Sequence, residues 1–106
     1  MVGKTKTITR AHKERFGKLQ DLGCICCLNE RSGYRAPDIH HITLTGRRLG
    51  HDYTIPLCPY HHRGVIGSHE VFRGPSLADG KKPFVDYFGT EQELLEQVNK
   101  LIGEAL

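Results

Sequence analysis

Tryptophan is absent from this 106-residue chain, methionine occurs once, and four Phe and four Tyr are the only large rings. A core with so few big side chains needs reinforcement, because a domain this small buries only about 60–70% of its unfolded surface. No apolar run approaches the roughly 20 residues that cross a bilayer, which argues against a helical membrane protein. Met1 to Arg15 is basic, with no apolar segment behind it. A secretory signal is therefore missing, and a cytoplasmic protein is expected. Acidic charge is the scarcer sign, with 12 Asp and Glu against 15 Lys and Arg, a net +3.

The residues in good supply are glycine, at 12, and histidine, at 7, with four cysteines beside them. Cytosolic thiols stay reduced, so four cysteines in such a chain read as metal ligands before disulfides. The charge is uneven. Residues 1–18 carry six Lys and Arg against Glu14, whereas the last sixteen carry four Glu against Lys100. A basic amino-terminal half suits a polyanionic partner. The length is that of one domain. Residues 1–8 lack periodicity and read as a flexible basic arm, leaving 9–106 as a single domain.

Thr9 can cap a short helix that ends before Gly23, with Phe16, Leu19 and Leu22 as a narrow apolar stripe. A tight knuckle is expected at Cys24–Cys27, then a polar loop through Pro37. Asp38–Ile42 and Thr54–Leu57 are β-compatible, and Pro56 confines the second strand to an edge or an end. Pro59 suits the first position of a short helix, and 73–83 reads as a loop. Thr90-Glu91-Gln92-Glu93 is a capping box opening a helix with Leu94, Leu95, Val98, Leu101 and Ile102 on one face. Strands and helices of this kind make an α+β domain.

Two patterns carry chemistry. Cys24-x-x-Cys27 is followed thirty-one residues later by Cys58-x-x-His61, two matched pairs of the kind that hold a tetrahedral zinc. Cys26 reads as a packed thiol. The second pattern is two histidine doublets, His40-His41 and His61-His62. Neighbours on a strand point to opposite faces, so His40 and His41 can do different work. With His61 on the structural zinc, His62 is released; strand and helix can then bracket one ion while a remaining histidine faces substrate. His69, just past the short helix, is a further candidate ligand, while His12 and His51 are expected at the surface.

Cys24-x-x-Cys27, Ile39-His40-His41-Ile42 and Asp52-Tyr53-Thr54-Ile55-Pro56-Leu57-Cys58-Pro59-Tyr60-His61-His62-Arg63 together resemble an HNH endonuclease of the ββα-metal type. More narrowly, these motifs, His69, and Tyr87-Phe88-Gly89-Thr90-Glu91 before a Leu-rich helix resemble the phage-type Ref recombination-enhancement, RecA-dependent nucleases. The likeness runs from about Leu22 to Ile102. It implies a small zinc-stapled ββα-metal (HNH, or His-Me finger) domain with flanking helices, in a phage or prophage protein of a bacterial host.

The resemblance also implies roles. His41 would be the general base, while His40 and His62, with His69, would hold a catalytic Mg²⁺ or Mn²⁺, a site that Zn²⁺ or Ni²⁺ can also fill. Arg47, Arg48 and Arg63 are candidate phosphate contacts of a DNA substrate, and a RecA filament is the implied partner. The asparagine that gives HNH its middle letter should fall near Asp52-Tyr53, and neither is Asn. Asp52 is the expected supporting residue there. The long basic extension of some relatives is reduced to Met1–Ile8 and the helix behind it. The competing expectation is a zinc-stapled DNA-binding module without catalysis; a protein of purely structural role is a third. Spare imidazoles beside the zinc ligands favour the nuclease.

Overall fold

The computed structural model describes residues 8–67 and 72–104. Apart from Ile8, the expected basic arm lies outside the described residues, as does His69. Helix α1 (Arg10–Leu22) opens where expected. Thr9 Oγ1 accepts from the His12 amide, and His12 Nδ1 accepts from the Thr9 amide, both at 3.2 Å. The helix stops at Gly23, whose φ of +82° suits glycine; a Cβ there would lie 2.6 Å from the Tyr34 ring.

The stretch after Gly23 is more regular than expected. Cys24 caps a helix, α2 (Ile25–Glu30), its Sγ accepting from the Cys27 amide at 3.4 Å. A sulfur thus serves one of the orphan amides of a helix start. Strand β1 (Asp38–His41) pairs antiparallel with a distant strand, in register His40↔Ile55 and His41↔Thr54. Between them a small hairpin, β2 (Thr43–Leu44) and β3 (Arg47–Arg48), turns through Thr45 and Gly46, both at positive φ. The distant strand is β4 (Thr54–Leu57); its sheet has two strands, so Pro56 stands on an edge. Helix α3 (Pro59–Arg63) follows at once, with Pro59 in its first turn and Gly64 in the left-handed cap position.

The segment 73–83, expected as a loop, holds a 3₁₀ turn at Leu77–Asp79 and the start of α4 (Lys81–Phe88). Proline in a first helical turn costs no hydrogen bond, so Pro83 does not stop α4. Phe84 and Phe88, four apart, anchor it. Helix α5 (Glu91–Ile102) opens with the expected Thr90/Glu93 capping box and buries Leu94, Leu95 and Val98. These side chains join Leu19, Ile25, Ile42, Ile55, Leu57, Phe84 and all four cysteines in one core. The result, among the described residues, is a small α+β fold with two two-stranded sheets.

A buried arginine ties its two ends together. Arg15, 2% exposed, donates to Thr54 Oγ1 (2.9 Å), Thr54 O (2.7 Å), Asn99 Oδ1 (2.8 Å) and Glu104 Oε1 (2.8 Å). It therefore joins α1, β4 and α5, and it is not one of the basic residues that DNA could reach. Burial raises the Glu104 carboxyl, but hydrogen bonds from Arg15 and Lys18 prevail and hold it below the glutamate range. A lowered carboxylate pKa gives stability above the ordinary range that is lost as pH falls through the lowered value. Arg15→Met should cost about 3 kcal/mol, since buried acceptors lose their donor. Glu104→Gln should cost roughly 1 kcal/mol at neutral pH and progressively less in acid, read from urea unfolding at several pH values.

Candidate active site and metal centre

Four donors meet where α2, β4 and α3 come together. Cys24, Cys27, Cys58 and His61 place one ligand atom each within 4.8 Å of one another, all buried. Cys27 and Cys58 sulfurs are 3.8 Å apart, and His61 Nδ1 lies 3.4, 3.6 and 3.2 Å from the sulfurs of Cys24, Cys27 and Cys58. A tetrahedron with metal–sulfur bonds of 2.3 Å has sulfur–sulfur edges of about 3.8 Å, so the donor set fits a zinc-sized ion. Cys26 is fully buried in the core and is not one of the four.

The surroundings of the cluster suit a cation as well. The Glu30 carboxylate, buried behind His61, lies 3.2 Å from Nε2, the ring nitrogen turned away from the sulfurs. That contact is out of line for a good hydrogen bond but close enough for attraction. Glu30 is itself fixed by the Gly74 amide at 2.6 Å. Hydrogen bonds from Cys24 and Cys27 push the Cys58 thiol far down, toward the thiolate form that binds metal. Burial opposes charge on His61, yet hydrogen bonds with Cys27 and Cys58 raise it to about 9. Protons and a metal compete for the same atoms, which makes retention of the metal acid-sensitive.

One residue further along α3, the chemistry changes. His62 points toward β1, where the two-residue period brings Asp38 and His40 to the same face. His62 Nδ1 lies 3.0 Å from Asp38 Oδ2, and His40 Nε2 lies 2.5 Å from Glu91 Oε2. A carboxylate only accepts, so each of those ring nitrogens carries the proton. The opposite nitrogens, His40 Nδ1 and His62 Nε2, face each other across 3.2 Å, where one bound cation would take both lone pairs. Ligand nitrogens sharing one divalent ion sit about 2.9–3.4 Å apart, and a carboxylate behind each imidazole is the usual support of such ligands. Burial raises Asp38, but Arg63 and His62 hold its carboxyl below the usual range. The hydrogen bond from His40 does the same for Glu91, with help from Lys81 at 3.1 Å.

His41 turns to the other face. Its Nε2 lies 2.9 Å from His51 Nδ1, and the Phe16 ring meets both imidazoles edge-on. Burial, then the charges of Arg48, His51 and His40, keep the His41 pKa below the ordinary imidazole value. A neutral ring is therefore its resting form at neutral pH. The expectation that His12 and His51 are surface residues is corrected here. Both are half-buried, with rings 5.0 Å apart, because α1 packs over the loop before β4. Asp52 is largely exposed and lies 3.6 Å from His12 Nε2; the nitrogen at His41 belongs to His51.

A family model described as "Recombination enhancement, RecA-dependent nuclease" matches residues 8–103. The chain belongs to this family. It is thus a member of a nuclease family, and the matched region includes every donor described above. No individual curated protein matches it.

In this member of the RecA-dependent nuclease family, Arg47 and Arg48 stand exposed on β3, while Arg63 donates to Asp38 Oδ2 at 2.8 Å. Glu30, in the stretch read as a polar loop, had escaped the sequence reading of the sulfur cluster, and three more residues had escaped it beside the histidines. Asp38 had a signal, since it stands two residues before His40 on a strand. Glu91 was hidden by its place in a capping box, and His51 by its turn-rich loop.

The cluster makes two measurable demands. Cys58→Ser should abolish stoichiometric metal and unfold the domain, since structural zinc supplies about 10 kcal/mol or more in small modules. Glu30→Gln should keep the fold but weaken metal retention roughly 10–100-fold against a competing chelator.

Proposed function

We propose that this chain is a metal-dependent DNA endonuclease of the HNH, ββα-metal type. It hydrolyses phosphodiester bonds in recombination intermediates presented with a RecA filament. The observation that carries the reading is the pair His40 Nδ1 and His62 Nε2, facing each other at 3.2 Å on β1 and α3 with a carboxylate behind each ring. The order of β1, β4 and α3 supports the ββα assignment, and the family description supports nuclease action and RecA. No helix among the described residues is long and apolar enough to cross a membrane, which agrees with work on DNA in the bacterial cytoplasm.

In this reading Cys24, Cys27, Cys58 and His61 hold a structural Zn²⁺, and His40 and His62 hold a catalytic Mg²⁺ or Mn²⁺, with His69 as the further ligand. Such an ion, when bound, stabilises negative charge on the phosphate and on the departing 3′ oxygen. His41 removes a proton from water as the water oxygen bonds to phosphorus and the P–O3′ bond breaks. Its depressed pKa keeps the accepting lone pair available at neutral pH. Arg47 and Arg48, exposed beside this face, bind flanking phosphates, and Arg63 contributes while steadied by Asp38. Asp38 and Glu91 hold the ligand rings and touch no substrate. A purely DNA-binding module would have no use for two imidazoles held in this way.

Plasmid nicking with Mg²⁺ or Mn²⁺, with and without RecA filaments, tests the reading, and filaments should stimulate cleavage. His41→Ala should lower kcat by about 10²–10⁴-fold with zinc content, melting temperature and Mn²⁺ affinity unchanged. His40→Ala and His62→Ala should lose activity through Mn²⁺ affinity, with partial recovery at high Mn²⁺. Replacing both Arg47 and Arg48 by Ala should lower the slope of log affinity against log salt by about 0.9 per lost phosphate contact. Absence of cleavage with every divalent ion and with filaments would reject the endonuclease reading.

A further inference from the structure

We propose that His51 is a positioning residue for His41, fixing its ring plane and tautomer so that one particular nitrogen takes the proton from water. The proposal rests on His41 being the general base. His41 Nε2 and His51 Nδ1 are 2.9 Å apart, a hydrogen-bond distance, and with no cation between them one proton lies there. If His51 Nδ1 carried it, His41 Nε2 would be consumed as an acceptor, and neutral His41 would hold its own proton on Nδ1. It would then have no free lone pair. A working base therefore requires the proton on His41 Nε2, donated to His51 Nδ1, with His41 Nδ1 left to accept. After transfer, the imidazolium keeps the same hydrogen bond, as the base does in a hydrolase triad.

The frame around His51 is built for holding a ring still. Its backbone carbonyl accepts from Thr54 Oγ1 at 2.9 Å, and Thr54 is clamped by Arg15. The loop closes on Ile42 through the Tyr53 carbonyl at 2.9 Å and the Leu49 amide at 3.0 Å. The rings of His12, Phe16 and His41 box it in, at 5.0, 5.8 and 5.1 Å.

The far nitrogen of His51 supplies the second observation. Nε2 is buried and has no hydrogen-bond partner among the described residues. An imidazole kept only for packing leaves a polar atom unsatisfied that Phe or Leu would not carry. What the imidazole offers in exchange is Nδ1, and Nδ1 meets His41. The supporting role expected of Asp52 thus falls to the residue beside it.

The test combines ¹⁵N NMR of the histidine rings with single-turnover nicking. In the wild type, His41 should appear as the Nε2–H tautomer above its pKa. His51→Ala should release that tautomer to a mixture and lower the cleavage rate on the order of 10²-fold, with DNA affinity, zinc content and Mn²⁺ affinity unchanged. His51→Asn sets an amide oxygen where Nδ1 was and should restore most of the rate and the single tautomer. His51→Gln, with its oxygen one methylene further out, should not. Wild-type cleavage and unchanged His41 signals in His51→Ala would overturn the proposal. So would an equal loss of Mn²⁺ affinity, which would make His51 a ligand. An active His41→Ala would overturn the base assignment itself, whereas inactive His41→Ala beside fully active His51→Ala overturns the positioning role alone.

Discussion

Everything near the site depends on four donors converging on one point between α2 and α3. Helix α3 has five residues, too few to be stable alone, and ends at a left-handed glycine. Its orientation comes from His61, whose ring is fully buried among three sulfurs. Once His61 is directed inward, the next residue is turned by about 100° around the helix axis, and His62 can only face β1. A structural cluster and a site for chemistry are thus separated by a single peptide unit. Loss of the cluster would remove the direction of His62 along with the fold.

The strand doublet solves the matching problem from the other side. Successive residues on a strand diverge by about 180°, so His40 goes to α3 while His41 goes to α1 and the loop before β4. Each face then has its own polar support. On the α3 side the supports are carboxylates, Asp38 and Glu91, suited to rings that share a cation. On the α1 side it is an imidazole, His51, together with burial, which suits the proton-accepting role proposed for His41. The two faces share a backbone yet differ in electrostatics, and Arg15 holds the Thr54 end of both by bonding to β4.

Much of this arrangement was legible before any coordinates. Thr9 and Thr90 announced their helices through local capping chemistry, and Pro59 announced α3 through its preference for a first turn. The Cys/His pairs were legible because metal-ligand spacing is local even when the pairs are remote. What escaped was decided by long-range contact. Arg15 looked like one more basic residue of an exposed helix, and only the meeting of α1 with β4 and α5 makes it a core residue. Helix α4 was masked by glycines and a proline that its first turn tolerates. His51 and Glu91 owe their positions to segments 10 and 51 residues away from their histidine partners, beyond the reach of any periodicity.

The assignment of separate work to the two histidine doublets can be observed directly. Crystals of the zinc-loaded protein soaked in Mn²⁺ should show, in anomalous difference maps at a manganese-sensitive wavelength, one peak bonded to His40 Nδ1 and His62 Nε2. A zinc peak should appear among Cys24, Cys27, Cys58 and His61, and none at His41. Manganese bound to His41 and His51, or no peak beside His40 and His62 at saturating Mn²⁺, would contradict the division of roles.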